Sequence, residues 1–72
     1  MAKESVEIRF GVVAVRKGYV TADQVIAALE IQITEDINEE KHRLLGEILL
    51  DQRLMTEIQI HDVVDSLKLL KQ

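Results

Sequence analysis

Gly11-Val12-Val13-Ala14-Val15 and its mate Gly46-Glu47-Ile48-Leu49-Leu50 are the stretch, written twice, whose reading decides the fold. Alone, the first copy is ambiguous, because a run of β-branched valines suits a short strand. The second copy, with Glu and three long aliphatic residues, is a good helix sequence. Sliding the chain 35 places onto itself lays 9–32 over 44–67. Three residues then coincide: Gly11 on Gly46, Thr21 on Thr56 and Gln24 on Gln59. Nine further columns are apolar in both copies, among them Phe10/Leu45, Val15/Leu50, Val20/Met55, Val25/Ile60 and Leu29/Val64. Two copies of one unit should share a structure, so Phe10–Val15 is read as helix and the chain as a doubled helix-turn-helix. Function is then to be sought where the halves meet.

The sharpest local signals are two helix starts. Thr21-Ala-Asp-Gln24 and Thr56-Glu-Ile-Gln59 both have capping-box form. The Thr hydroxyl accepts from an early backbone N–H and the Gln side chain reaches back to the Thr N–H. Behind Thr21, Val25, Ile26, Leu29, Ile33 and Ile37 recur at helical spacing; behind Thr56, Ile60, Val63, Val64, Leu67 and Leu70 do the same. Shorter apolar segments precede each cap, at 5–17 and 42–52. Gly18 follows a basic last turn and reads as the left-handed residue that closes the first of them. Arg53 occupies the matching place in the second copy, so that turn either avoids the left-handed conformation or adopts it at a cost. The second helix is expected to run to about Ile37, with Asn38 near its end. The architecture predicted is all-α: four main helices in two helix-turn-helix repeats, about 5–37 and about 42–70, forming one domain over 1–72.

Composition narrows the function classes. Seventy-two residues give room for one domain, and a domain of this size buries only about 60% of its unfolded-chain surface. The apolar fraction of 47% marks a folded chain, with Phe10 and Tyr19 its only aromatic residues. There is no cysteine, which excludes disulfides and thiolate metal sites. No apolar run approaches the roughly 20 residues of a membrane span, and the first residues lack the pattern of a signal peptide. A cytoplasmic protein is expected. The net charge of −4 disfavours polymeric nucleic acid as a partner. The basic residues cluster at Arg9, Arg16 and Lys17; the acids gather at Glu35, Asp36, Glu39 and Glu40, read as a solvated helix end or linker.

Catalysis has little support. His61 has Glu57 and Asp65 one helical turn away on either side, the spacing of a weak metal site, but this reads as an ordinary surface arrangement. Ser5 and Ser66 have no Gly-rich elbow or evident base, and His42 lies among charged residues and reads as exposed. No catalytic residue, metal ligand or cofactor is assigned. Gly11 and Gly46 stand inside apolar helices, where glycine costs about 1 kcal/mol relative to alanine. Close helix packing is the first explanation, and close approach of a ligand the second.

The first copy, Arg9 through Gln32, resembles the 24-residue motif of the GspE N-terminal/MshEN family. That motif runs Arg-Leu-Gly, an apolar pair after a short gap, Gly, a second apolar pair, then a helix with two Leu and a closing Gln. Arg9, Gly11, Gly18, Val20, Val25, Leu29 and Gln32 fit it, with Phe10 in the place of Leu. The second copy departs from it: Leu44 stands for Arg, Arg53 for the second Gly and Leu67 for Gln, although Arg43 lies one place before the expected arginine. The copies cover about two thirds of the chain. The resemblance implies a non-catalytic interaction domain of the kind that precedes bacterial secretion and pilus assembly ATPases and docks them to a protein partner. Its MshEN branch implies instead a receptor for cyclic di-GMP. The ligand set that this branch implies is Arg9, Phe10, Gly11, Gly18 and Gln32. Arg9 would grip a guanine edge or a phosphate, and Gln32 would add a polar contact. Outside the ligand reading, Arg9 is a surface arginine paired with Glu7 or Asp23, and Gln32 a solvated or helix-capping amide. A second copy of the chain is a further candidate partner. No Gly-x-x-x-x-Gly-Lys-Ser/Thr loop is present, so no ATPase is included.

Overall fold

The computed structural model describes residues 2–70, and the side chains of 6–68. The expected inward placement of Leu70, and the Ser5 side chain, fall outside the described part. Four helices follow one another: α1 (Ala2–Arg16), α2 (Ala22–Ile37), α3 (Leu45–Asp51) and α4 (Glu57–Leu70). No strand is found among the described residues, so Phe10–Val15 is helical as its repeat mate demanded.

Both capping boxes form. Thr21 Oγ1 accepts from the Gln24 N–H at 3.1 Å while Gln24 Oε1 accepts from the Thr21 N–H at 2.9 Å. Thr56 and Gln59 repeat the pair at 3.1 and 3.0 Å. The helix ends repeat too. The Gly18 N–H donates to the Val15 carbonyl and the Tyr19 N–H to the Ala14 carbonyl; 35 residues on, Arg53 donates to Leu50 and Leu54 to Leu49. These are Schellman closures, which place their C′ residue in the left-handed region. Gly18 has φ +81° there and Arg53 φ +63°, so the second turn keeps the geometry of the first without its glycine. Helix α2 closes in the same way, with Asn38 as its cap and Glu39 at φ +56°.

The repeat is also a packing operation. The most extensive helix contacts are α1 with α4 and α2 with α3, which the repeat exchanges one for the other. The halves therefore interlock about a pseudo-two-fold relation instead of each folding on itself. Two glycines make the interlock. A Cβ on Gly46 would lie 3.2 Å from Phe10 Cζ and 3.5 Å from Ile60. A Cβ on Gly11 would lie 3.5 Å from Leu45 and only 2.6 Å from Val25 Cγ1. Phe10 and Leu45 are repeat mates, as are Val25 and Ile60. Each glycine thus receives the residue that precedes the other glycine. Around this exchange lies the core of Phe10, Ala14, Val20, Val25, Ala28, Leu45, Ile48, Leu49, Met55 and Val63. Close packing is what both glycines serve.

The symmetry breaks at the start of α3. Its cap residue, Leu44, has no side-chain acceptor, so only the reciprocal half of a box forms, from the Leu44 N–H to Glu47 Oε1 at 2.7 Å. The missing acceptor comes from α1: the Leu45 N–H donates to Glu7 Oε1. A seven-residue helix would not persist on its own, and it is held by a carboxylate 38 residues earlier in the chain.

Candidate functional site

Two grooves on the described surface are repeat mates: one lies within the first half, the other where α1 meets α3 and α4. The smaller, about 340 Å³, opens between α1 and α2 over Gly11, Val12, Val15, Ala22, Val25, Ile26 and Leu29. The larger, about 470 Å³, opens over Gly46, Glu47, Leu50, Glu57, Ile60, His61 and Val64, each 35 residues further on. The second groove is deepened because α1 adds Val6, Glu7 and Phe10 as a wall, and Leu67 and Lys68 close its far end. Its floor is aliphatic and aromatic. Its charged groups are Glu7, Glu47 and Glu57 against Lys68, with His61 between.

The side chains drawn from the first copy are divided among different places. Phe10 is buried and lines the larger groove; Gly11 is buried in the floor of the smaller one. Gly18 is exposed at a turn that its φ requires and borders neither groove. Arg9 is exposed, and the expected pair with Glu7 or Asp23 does not form, because Glu7 is turned inward. Gln32 departs furthest from expectation. It is neither solvated nor a cap: it is 6% exposed, donating from Nε2 to Glu7 Oε1 at 2.8 Å and to the Arg43 carbonyl at 3.1 Å. An amide used twice in the interior serves to hold α2 against α1 and the linker.

Glu7 is the residue the sequence reading undervalued. It is 7% exposed and accepts from both Gln32 and Leu45. A carboxylate at a helix N-terminus is favoured by the unsatisfied N–H groups and the dipole there. The available signal was negative: Leu44 cannot cap a helix, so an acceptor had to come from elsewhere.

The linker is tied down more firmly than its composition suggested. Arg43 donates from Nη2 and Nε to the two oxygens of Glu35, at 2.7 and 3.2 Å, and from Nη1 to Asp51 at 3.4 Å. Hydrogen bonding by Arg43 holds the Glu35 carboxyl below the usual carboxylate range, against the opposing effect of desolvation, and raises the guanidinium in turn. His42 is exposed, with Nδ1 3.0 Å from Asp36 Oδ1. Half of the acidic run is thus engaged by the linker, while Glu39 and Glu40 stay in solvent. Arg43, the nearest stand-in for the second copy's missing arginine, is committed to these pairs.

A third contact joins the first turn to α4. The Tyr19 hydroxyl donates to Asp62 Oδ2 at 2.5 Å, and Lys17 Nζ lies 3.2 Å from the same oxygen. The hydrogen bond from Tyr19, then that from Lys17, lowers the Asp62 carboxyl; the same bond raises the Tyr19 phenol. Among the described residues, no three His, Cys, Asp or Glu side chains are arranged to hold a metal ion, and no helix is long and apolar enough to cross a membrane.

No family model, curated protein or solved structure matches this chain. The functional reading therefore rests on the two grooves and on the chemistry of their rims.

Proposed function

We propose that this chain is a non-catalytic docking module, of the kind the GspE N-terminal/MshEN resemblance implies, acting in the cytoplasm on a protein partner such as a secretion or pilus assembly component. The observation that carries the reading is the larger groove. Its floor of Phe10, Leu50, Ile60, Val64 and Leu67 is concave and apolar, and Gly46 lets Phe10 sit low within it. A groove of about 470 Å³ accommodates the few apolar side chains that one face of a partner helix projects. Glu47 and Glu57 on the rim favour basic residues beside those anchors. The test is site-specific photocrosslinking in cells from position 57, at the exposed rim. One discrete heteromeric adduct is expected, lost when the half-exposed Leu50 is changed to Glu. No adduct, or one unchanged by Leu50→Glu, would remove the reading.

Cyclic di-GMP reception is the second reading, favoured by the smaller groove. Its apolar floor suits purine faces, and Arg16 at its mouth, with Arg9 on the same helix, suits a phosphate. An NMR titration with the nucleotide separates the two readings. Shifts at Arg9, Val12, Arg16 and Ile26 support reception; none at millimolar ligand leaves docking alone.

A further inference from the structure

The smaller groove lies in a wider apolar face whose edges are charged in opposite senses. Ile8 and Val12 on α1, and Ile26, Ile33 and Ile37 on α2, are between 43% and 73% exposed, more than isolated surface aliphatics require. Gly11 and Val25, where the two helices meet, mark the centre line of this face. Moving outward on α1, helical spacing passes from Ile8, Val12 and Val15 to Arg9 and Arg16, seven residues apart on one flank. Moving outward on α2, it passes from Ile26, Leu29 and Ile33 to Asp23 and Glu30, again seven apart. All four charged side chains are exposed, and none makes an ion pair with another described residue. One long edge is basic and the other acidic.

We propose that this α1/α2 face binds a second copy of the chain in a two-fold dimer. A two-fold axis in the plane of the interface, along the helices, turns one copy's left edge onto the other's right edge. The basic flank of each protomer then meets the acidic flank of its partner, twice over, while the aliphatic residues close between them. A face with one sign of charge on both edges would repel itself under the same operation. The size of the face sets the strength. Sixteen residues of α2 span about 24 Å, and two helices side by side about 20 Å. The dimer buries on the order of 1,000 Å² in total, the low end for a specific interface. A micromolar dimer, weakened by salt, is the expected species. This goes beyond partner docking, which uses the other groove, and either can fail without the other.

The experiment is sedimentation equilibrium of the whole chain in low salt. It uses the wild type and two edge variants, Arg9→Glu with Arg16→Glu and Asp23→Lys with Glu30→Lys. Circular dichroism checks that each keeps its helix content, which exposed positions allow. The wild type should dimerise, and each variant alone should bind itself at least about tenfold more weakly, since like charges face each other twice. An equimolar mixture of the two variants should dimerise again, because one copy then offers two acidic edges and the other two basic ones. A wild type that stays monomeric at millimolar concentration overturns the proposal. So do variants that self-associate as the wild type does, or a mixture that fails to recover.

Discussion

Gly11 and Gly46 are repeat mates, yet a methyl group should affect them differently. Alanine gains about 1 kcal/mol of helix propensity at either position. At Gly46 the new Cβ meets the end of the Phe10 ring at 3.2 Å, which a shift of a few tenths of an ångström relieves. At Gly11 it meets Val25 Cγ1 at 2.6 Å, and a buried valine with a stiff χ1 cannot step aside cheaply. Overpacking costs about 1–3 kcal/mol, so Gly46→Ala should be near neutral and Gly11→Ala should destabilise. Urea midpoints will decide; Val25→Ala added to Gly11→Ala should recover part of the loss. Arg53 makes the opposite case. Its φ of +63° is one that glycine adopts without strain. Left-handed geometry costs an ordinary residue about 1–2 kcal/mol, and the greater unfolded-state entropy of glycine returns part of that. Arg53→Gly should therefore raise stability by about 0.5–1 kcal/mol. A midpoint that falls would mean that the Arg53 side chain contributes something its exposure does not suggest.

At the scale of the element, the helix starts divide into those that cap themselves and one that is capped from outside. Thr21→Ala and Thr56→Ala should each lower stability by about 1 kcal/mol, since each removes the acceptor for one N3 amide. Glu7→Ala should cost more. It leaves the Leu45 N–H and one bond of Gln32 unpaired in the interior, at about 1–3 kcal/mol for each buried group, and the loss should appear first as hydrogen exchange in α3. The Tyr19–Asp62–Lys17 contact gives a pH dependence. Asp62 titrates lower in the folded chain than in the unfolded one, so its contribution is present above the unfolded carboxylate pKa. It is lost as pH falls through the lower folded value, and Glu35 acts in the same direction. The raised Tyr19 phenol works oppositely, its contribution being lost as pH rises through its folded value. Tyr19→Phe should flatten the fall in melting temperature on acidification below about pH 4; an unchanged acid limb would show that the bond does not bear on stability.

These elements also show how far the sequence could be read. The two Thr caps, the Gly18 turn, the end of α2 and the helical state of Phe10–Val15 were legible, because each depends on residues a few places apart or on the repeat. The turn at Arg53 was left open, since its residue type argues against the left-handed geometry that it adopts. Gln32 and Glu7 were not. They meet across 25 residues and carry no local signature; only the inability of Leu44 to cap pointed to them. The larger groove was legible only as the instruction to look between the halves, since its walls come from helices whose pairing across the repeat has no counterpart in periodicity. The smaller lies within the first half, where that instruction did not point.

That pairing governs the whole molecule. If each helix-turn-helix were a self-sufficient unit, α1 would pack chiefly on α2 and α3 on α4; instead α1 lies on α4 and α2 on α3. The glycine exchange, Glu7 on α3 and Tyr19 on Asp62 all cross from one half to the other. Neither half can bury its apolar face alone, and helices of 7 to 16 residues are marginal in water without such burial. A peptide of residues 1–40 and another of 41–72 should therefore each show little helix by circular dichroism. Mixed, they should recover the helix signal in a concentration-dependent way, because the cross-half contacts need no covalent connection. Arg43 pairs with Glu35 across the cut, so the recovered complex should be weaker in high salt. A first-half peptide that is helical and cooperative on its own would place the stability within the repeat and would contradict the interlock. Full-length unfolding should match: one transition, coincident by far-ultraviolet signal and by hydrogen exchange in α1 and α4, since neither half has a core to keep once the other has left it.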